Sequence, residues 1–195
     1  AALLTDMNQP LGRMAGNANE VNESVDSLQG KGPADMMEVT LELGAELLVL
    51  AKREKTTAAA RHRLEKAISS GAGLEKFREM VAAQGGDLDA PRPVAPAHEM
   101  NSPWDGYVTA IDTERLGYVI IHLGGGRKQL NDKLDLSVGL EMLVRIGDPV
   151  QKGQPLACVF AKPDAAAEIK RDLLSAITIE DERAEAPSLI VERIT

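Results

Sequence analysis

Residues 1–24 read AALLTDMNQPLGRMAGNANEVNES. The stretch opens as a buried strand would, with Ala1, Ala2, Leu3 and Leu4, and turns polar at Thr5, Asp6, Asn8 and Gln9. Pro10 and Gly12 impose a bend, because proline fixes φ and glycine reaches backbone conformations closed to other residues. A helix rich in Asn and Glu follows, with Asn17 or Asn19 as its candidate cap. Chain ends are usually frayed and dispensable, whereas this one has the strand–bend–helix texture of a domain interior. The opening therefore reads as an internal piece of a larger α/β domain.

Working outward, the chain to residue 86 reads as helical. Ala18, Val21, Val25 and Leu28 recur at helical spacing, and Gly30-Lys31-Gly32-Pro33 supplies the stop. A second helix, capped at Asp35 and running to Ala51, turns Met37, Leu41, Ala45 and Leu48 inward. TTAAARHRLEKAISSG, residues 56–71, gives a third with Ala60, Leu64, Ala67 and Ile68 inward, and a fourth buries Leu74, Phe77, Met80 and Val81 before Gly85-Gly86. Each helix carries one apolar stripe and needs a common surface to cover. DLDAPRPVAPAHEMNSP, residues 87–103, breaks the pattern, since four prolines exclude a regular helix and favour an extended linker.

Beyond the linker the signal changes to strands. GYVTAI (106–111), GYVIIHL (117–123) and LVRIGDPVQKGQPLACVFA (143–161) are separated by the turn-rich GGGRKQLNDKLDLSVG (124–139). PDAAAEIKRDLLSAI (163–177) reads as a helix started by Pro163, with Ile169, Leu173, Leu174 and Ile177 inward, and ITIEDERAEAPSLIVERIT (177–195) as two short strands around a polar turn. The fold class is therefore mixed, α+β within these residues. The helical part of a large α/β domain occupies 1–86, a Pro-rich linker 87–103, and an α+β domain 104–195.

Bulk properties bound the function. A net charge of −8 argues against nucleic-acid or anionic-membrane binding by bulk electrostatics. The lone cysteine, Cys158, has no internal disulfide partner, which fits a reducing cytoplasm. No apolar run approaches the ~18 residues of a membrane span, and the start lacks a signal peptide's basic and apolar regions. With aromatics at only 3%, the core has to be built from Leu, Val, Ile, Met and Ala.

No complete catalytic constellation emerges from the residues. GGGRK, residues 124–128, is the most tempting phosphate site, because successive glycine N–H groups can converge on an anion beside Arg127. It lacks the Walker spacing and the strand–helix setting, and a tight turn between strands is the favoured reading. His62, His98 and His122 have no mutual spacing or cysteine partner to suggest zinc. His62 reads as solvated on its helix and His122 as structural on a strand. Cys158 reads as a small buried hydrophobe, and Trp104 as packing at the start of the second domain.

Two resemblances follow from these motifs. GYVTAI and GDPVQKGQPLACVF resemble half-sites of the biotinyl/lipoyl barrel-sandwich domains, which makes the C-terminal domain barrel-sandwich-like. Lys128, Lys133, Lys152 and Lys162 lack the Met neighbour typical of a carrier lysine, so the non-catalytic carrier or interaction module is the alternative reading. TDMNQPLGRMAGNANEV, residues 5–21, closely resembles a long motif of the thymidine and pyrimidine-nucleoside phosphorylases. The resemblance continues, in order, through GPADMMEVTLELGAELL, MVAAQGG, DGYV, GGGRK with LDLSVG, and GDPVQKGQPLA. It covers essentially the whole chain and corresponds to the C-terminal part of that family. A nucleoside-monophosphate phosphorylase shares more of the chain than a phosphoribosyltransferase does and stands as the other alternative enzyme.

The resemblance implies a cytoplasmic homodimeric pentosyltransferase that cleaves thymidine- or uridine-type nucleosides with inorganic phosphate, without an organic cofactor. It gives free base and ribose or deoxyribose 1-phosphate. The family's catalytic groups lie upstream of these residues, so no catalytic or substrate-binding residue is carried over and this chain alone is expected to be inactive. One site is carried over. The family holds a potassium ion between its phosphate loop and the segment that opens this chain. The matching positions are Leu11 and Met14, through backbone carbonyls, and Glu23, through its carboxylate. A hard cation suits such oxygen ligands. Glu23 lies nine residues past Met14, about two and a half helical turns, so the three can meet only if part of that interval is not helix.

Overall fold

The computed structural model describes residues 1–194. Thr195, the end of the expected closing strand, lies outside the described residues. Two compact units are present, and both are discontinuous in sequence. The first comprises residues 1–5, 22–91 and 189–195, and the second residues 6–21 and 92–188. Each unit therefore draws on separated stretches of the chain.

In the first unit, β1 (Ala2–Thr5) pairs antiparallel with β9 (Ile190–Ile194), with Ala2 opposite Ile194 and Thr5 opposite Ile190. The opening strand is not buried as its apolar sequence suggests. Exposed and half-buried residues alternate along it, the pattern of a ribbon covered on one face. Helices α2 (Ala34–Leu50), α3 (Thr57–Ser69) and α4 (Ala72–Ala83) make up the rest of the unit, with most of α1 (Ala18–Leu28). Asp35 sits in the first turn of α2 and Pro33 occupies the cap position without a side-chain bond. Thr56 does cap α3, accepting from the Ala59 amide at 3.2 Å. A methyl group on Gly44 would lie 2.8 Å from Leu64 Cδ1, so this glycine sets how closely α2 and α3 pack.

One arginine joins those two helices. Arg61 on α3 donates to Glu38 on α2 at 2.6 and 3.0 Å, to Glu42 at 2.5 Å and to Glu65 one turn along its own helix at 3.1 Å. The guanidinium holds the Glu38 carboxyl below its ordinary range. Arg193 on β9 makes a similar fork with Glu46 of α2, at 2.9 Å for the longer bond. Glu46 is buried, and Arg193 is the compensating charge that allows it.

The second unit contains two antiparallel sheets. One runs β2-β5-β7-β3, from Met14–Gly16, Gly139–Met142, Pro155–Phe160 and Ala97–Asn101. The other runs β6-β4-β8, from Pro149–Val150, Gly106–Ile111 and Ile177–Glu180. Helices α5 (Thr113–His122) and α6 (Pro163–Ser175) complete it, α6 opening on Pro163 as expected. Leu140, Leu156, Val159, Val108 and Leu173 are fully enclosed, so the core is aliphatic, as the low aromatic content requires. Trp104 is 65% exposed and takes no part in it.

The largest departure from the sequence reading is GYVIIHL, which is helix and not strand. Asp112 caps α5 by accepting from the Arg115 amide at 2.9 Å, and Leu116 and Val119 are buried three residues apart. His122 therefore lies exposed on the last turn of a helix, and not inside a strand. Of the residues expected to face inward on α1, Ala18 is buried and Val25 and Leu28 are half-buried. Val21 is exposed, and the buried positions are Ala18, Asn19, Glu23 and Ser27. Asn19, Glu23 and Ser27 recur every four residues, so this helix presents a polar face to the interior.

Candidate functional site

The bend after β1 is fixed by hydrogen bonds to three other parts of the second unit. Asp6 Oδ1 accepts from the Asn8 amide at 3.1 Å, a local turn that aspartate favours. The Met7 carbonyl accepts from Thr113 Oγ1 at 3.2 Å, and Gln9 Oε1 accepts from the Ile146 amide at 3.1 Å. Arg145 then donates through Nη1 to the Pro10 carbonyl at 2.6 Å and through Nη2 to the Gly12 carbonyl. Arg145 is itself placed by its amide, which donates to Asp148 Oδ2 at 2.8 Å. Gly12 has φ of 71°, a left-handed value that glycine accepts without cost. The Arg13 carbonyl accepts from Met142 at 2.8 Å, and the chain enters β2 with Met14 opposite Glu141.

β2 leads directly into α1. Glu20 Oε1 accepts from the Gly16 amide at 2.8 Å, a carboxylate in the first helical turn reaching back over the helix start. Asn17 occupies the cap position, its carbonyl accepting from Val21 at 3.2 Å and its Nδ2 donating to the Gly125 carbonyl at 2.9 Å. Asn19 Oδ1 is buried without a hydrogen-bond partner, pressed against Gly139.

Leu11 and Met14 thus sit on the second unit, Leu11 at the exposed bend and Met14 on β2. Glu23 belongs to the first unit, nine-tenths buried in the second turn of α1. Because residues 14–16 are strand and α1 starts at Ala18, the first part of the interval between Met14 and Glu23 is not helix and the rest is. The donors expected from the resemblance are two carbonyls and a carboxylate, oxygen ligands of the kind a hard cation takes. Among the described residues no group of three or more His, Cys, Asp and Glu is placed to hold a metal.

The remaining candidates are resolved more simply. The glycines of GGGRK end α5. Gly124 and Gly125 donate to the carbonyls of Ile121 and Ile120 at 3.1 and 2.9 Å, so these two amides cap the helix. Cβ atoms on Gly125 and Gly126 would lie 2.8 and 2.6 Å from Ile120 and Ile121 side-chain carbons, which explains the glycine run by packing. Cys158 is half-buried on β7 between Glu99 of β3 and Glu141 of β5, and burial together with those carboxylates pushes its thiol pKa up. A raised pKa opposes a nucleophilic role. A cavity of about 310 Å³ includes Asp135, Ser137 and Lys162. Asp135 is held below its usual range by the Ser137 hydroxyl and amide, at 2.6 and 3.0 Å, with Lys162 contributing. The interlock between Arg145 and the bend was missed from sequence. Its only local sign is Asp148, three residues beyond Arg145, which marks a turn.

Comparison with known proteins decides between the readings. Residues 107–180 match the pyrimidine nucleoside phosphorylase C-terminal domain. The whole chain aligns with the pyrimidine-nucleoside phosphorylase of Geobacillus stearothermophilus at 38% identity over 200 residues. It aligns with that of Staphylococcus aureus strain USA300 at 40% identity, also over 200 residues. The chain belongs to this family, in its C-terminal portion. It spans 46% of the length of each of these curated relatives. The second unit of this phosphorylase-family chain contains the whole matched domain and also residues 6–21, which precede that match by more than 80 residues. Among the described residues, no helix is long and apolar enough to cross a membrane.

Proposed function

We propose that this chain forms the C-terminal portion of an enzyme that cleaves thymidine- or uridine-type nucleosides with phosphate. The observation that carries the reading is the end-to-end alignment with pyrimidine-nucleoside phosphorylases at 38–40% identity. In the reaction a phosphate oxygen bonds to the sugar anomeric carbon as the carbon–nitrogen bond to the base breaks. The bonding pair leaves with the pyrimidine, which is then protonated. Such chemistry needs donors where charge develops on the base and a cradle for the phosphate. We assign neither to this chain, and place both in an upstream portion of a cytoplasmic homodimer.

The role of these residues is to complete one wall of a potassium site. The carbonyls of Leu11 and Met14, both in the second unit, would hold the ion. When bound, it supplies a fixed positive charge that orders the backbone of the adjoining phosphate loop. The bend supports this reading, because side chains of the same unit fix its backbone.

The test is a phosphate-dependent assay for release of thymine and uracil, run on this chain and on a longer chain carrying the upstream portion. The longer chain should turn over only when phosphate is present, and this chain should stay at background. Turnover by residues 1–195 alone would refute the placement of the catalytic groups. Inactivity of the longer chain on both nucleosides would refute the proposed reaction.

A further inference from the structure

We infer that Arg145 is the positioning residue of the cation site, an inference that rests on the potassium reading above. A carbonyl ligand is useful only if its peptide plane is fixed. Otherwise the ion must order the bend at the expense of affinity. The Leu11 carbonyl belongs to the peptide between Leu11 and Gly12. Arg145 holds the two flanking carbonyls, those of Pro10 and Gly12, on adjacent nitrogens of one planar guanidinium. Fixing the peptide planes on both sides constrains the one between them. The guanidinium suits this work because its donors form a rigid fork, which a lysine ammonium lacks.

Three further bonds make the arrangement a single interlock. The Arg145 amide is tied to Asp148, the Ile146 amide to Gln9 Oε1, and the Met142 amide to the Arg13 carbonyl immediately before Met14. The turn at 145–148 and the strand ending at Met142 therefore grip residues 9–13 from both sides. Both carbonyls proposed as ligands lie on or beside the gripped segment. The domain matched at residues 107–180 thereby acquires a function of its own: it shapes a site whose ligands lie elsewhere in the sequence.

The experiment measures apparent potassium affinity in the longer, complete protein, from the rise in melting temperature with KCl at constant ionic strength set by choline chloride. Wild type, Arg145→Gln, Arg145→Lys and, as a control on α5, Arg115→Gln are compared. The expected result is a loss of potassium affinity of about tenfold or more in Arg145→Gln, matching one to two lost charge-assisted hydrogen bonds. Arg145→Lys should keep its fold in potassium-free buffer yet recover only part of the affinity, and Arg115→Gln should bind as wild type does. Equal potassium affinity in wild type and both Arg145 variants would overturn the positioning role while leaving the cation site standing. A wild-type protein indifferent to potassium would overturn the cation reading itself, and the inference with it. If Arg145→Gln does not fold, the Lys variant decides: undiminished affinity there refutes the fork argument.

Discussion

Gly139 allows a sharp test of how β2, and with it the bend, is held. It opens β5 opposite Gly16 of β2 and Phe160 of β7. A Cβ at this position would lie 2.8 Å from the Ala15 carbonyl and 2.8 Å from Asn19 Oδ1, with Asn19 Cγ at 3.0 Å. Neither neighbour yields easily, because one is strand backbone and the other a side chain only 3% exposed. Gly139→Ala therefore overpacks the junction of β2, β5 and α1, at a cost of about 1–3 kcal/mol. Gly117 gives the opposite case. It sits within α5, and a Cβ added there would meet no atom within 4 Å. Gly117→Ala should therefore gain about 0.5–1 kcal/mol from helix propensity alone. At roughly 2–4 °C per kcal/mol for a chain of this size, Gly139→Ala should melt about 2–12 °C lower and Gly117→Ala about 1–4 °C higher. Circular dichroism melts read both shifts. Asn19→Ala should recover part of the Gly139→Ala loss, since the two groups collide and their effects are not additive. A Gly139→Ala protein as stable as wild type, or two glycine variants shifting in the same direction, would refute the reasoning.

Other outcomes follow from the ion pairs, the thiol and the core. Arg193 depresses the Glu46 pKa, so the pair stabilises the fold above the ordinary carboxylate value near ~4.3. That contribution is lost as pH falls from there through the depressed folded value. Glu46→Gln should lower the melting temperature at pH 7 and flatten its acid dependence, and an unchanged profile would contradict the pairing. Cys158 should react with iodoacetamide at pH 8.5 more slowly than free cysteine, because burial and the Glu141 and Glu99 charges oppose the thiolate. Glu141→Gln should speed the reaction, as mass spectrometry of the alkylated chain would show. Leu156→Ala, at a fully enclosed position of β7, should cost about 2–5 kcal/mol in urea unfolding. A shift below about 1 kcal/mol, well under that range, would mean the site collapses freely.

What the sequence made legible was local. The bend at Pro10 and Gly12, the helix start at Pro163 and the strand GYVTAI are written in proline, glycine and β-branched residues, and the structure has each of them. The run Tyr118-Val119-Ile120-Ile121 has the composition of a strand. It nevertheless follows Asp112 with Glu114 in the first turn, and Leu116, Val119 and Leu123 share a helical face. Capping, read ahead of β-propensity, identifies α5. The buried side of α1 was not legible, because Asn19, Glu23 and Ser27 are polar and apolar periodicity points to other residues. Nor was the grip of Arg145 on Pro10 and Gly12, which joins residues more than 130 positions apart. Leu11, Met14 and Glu23 came from resemblance alone, and the structure adds the frame that surrounds the first two.

The pairing of β1 with β9 also bears on how the chain folds. Its partners are separated by more than 180 residues. Closing so long a loop carries a large entropic penalty before any contact compensates it, which places this ribbon late on the folding route. Among the described elements, β1 is synthesised first and β9 last. Until β9 is made, Leu3 and Leu4 lack the partner strand they have in the fold, and an exposed strand edge invites pairing with a neighbouring chain. Glu46, once made, likewise waits for Arg193 until β9 follows. The first unit can be completed only when the last strand arrives.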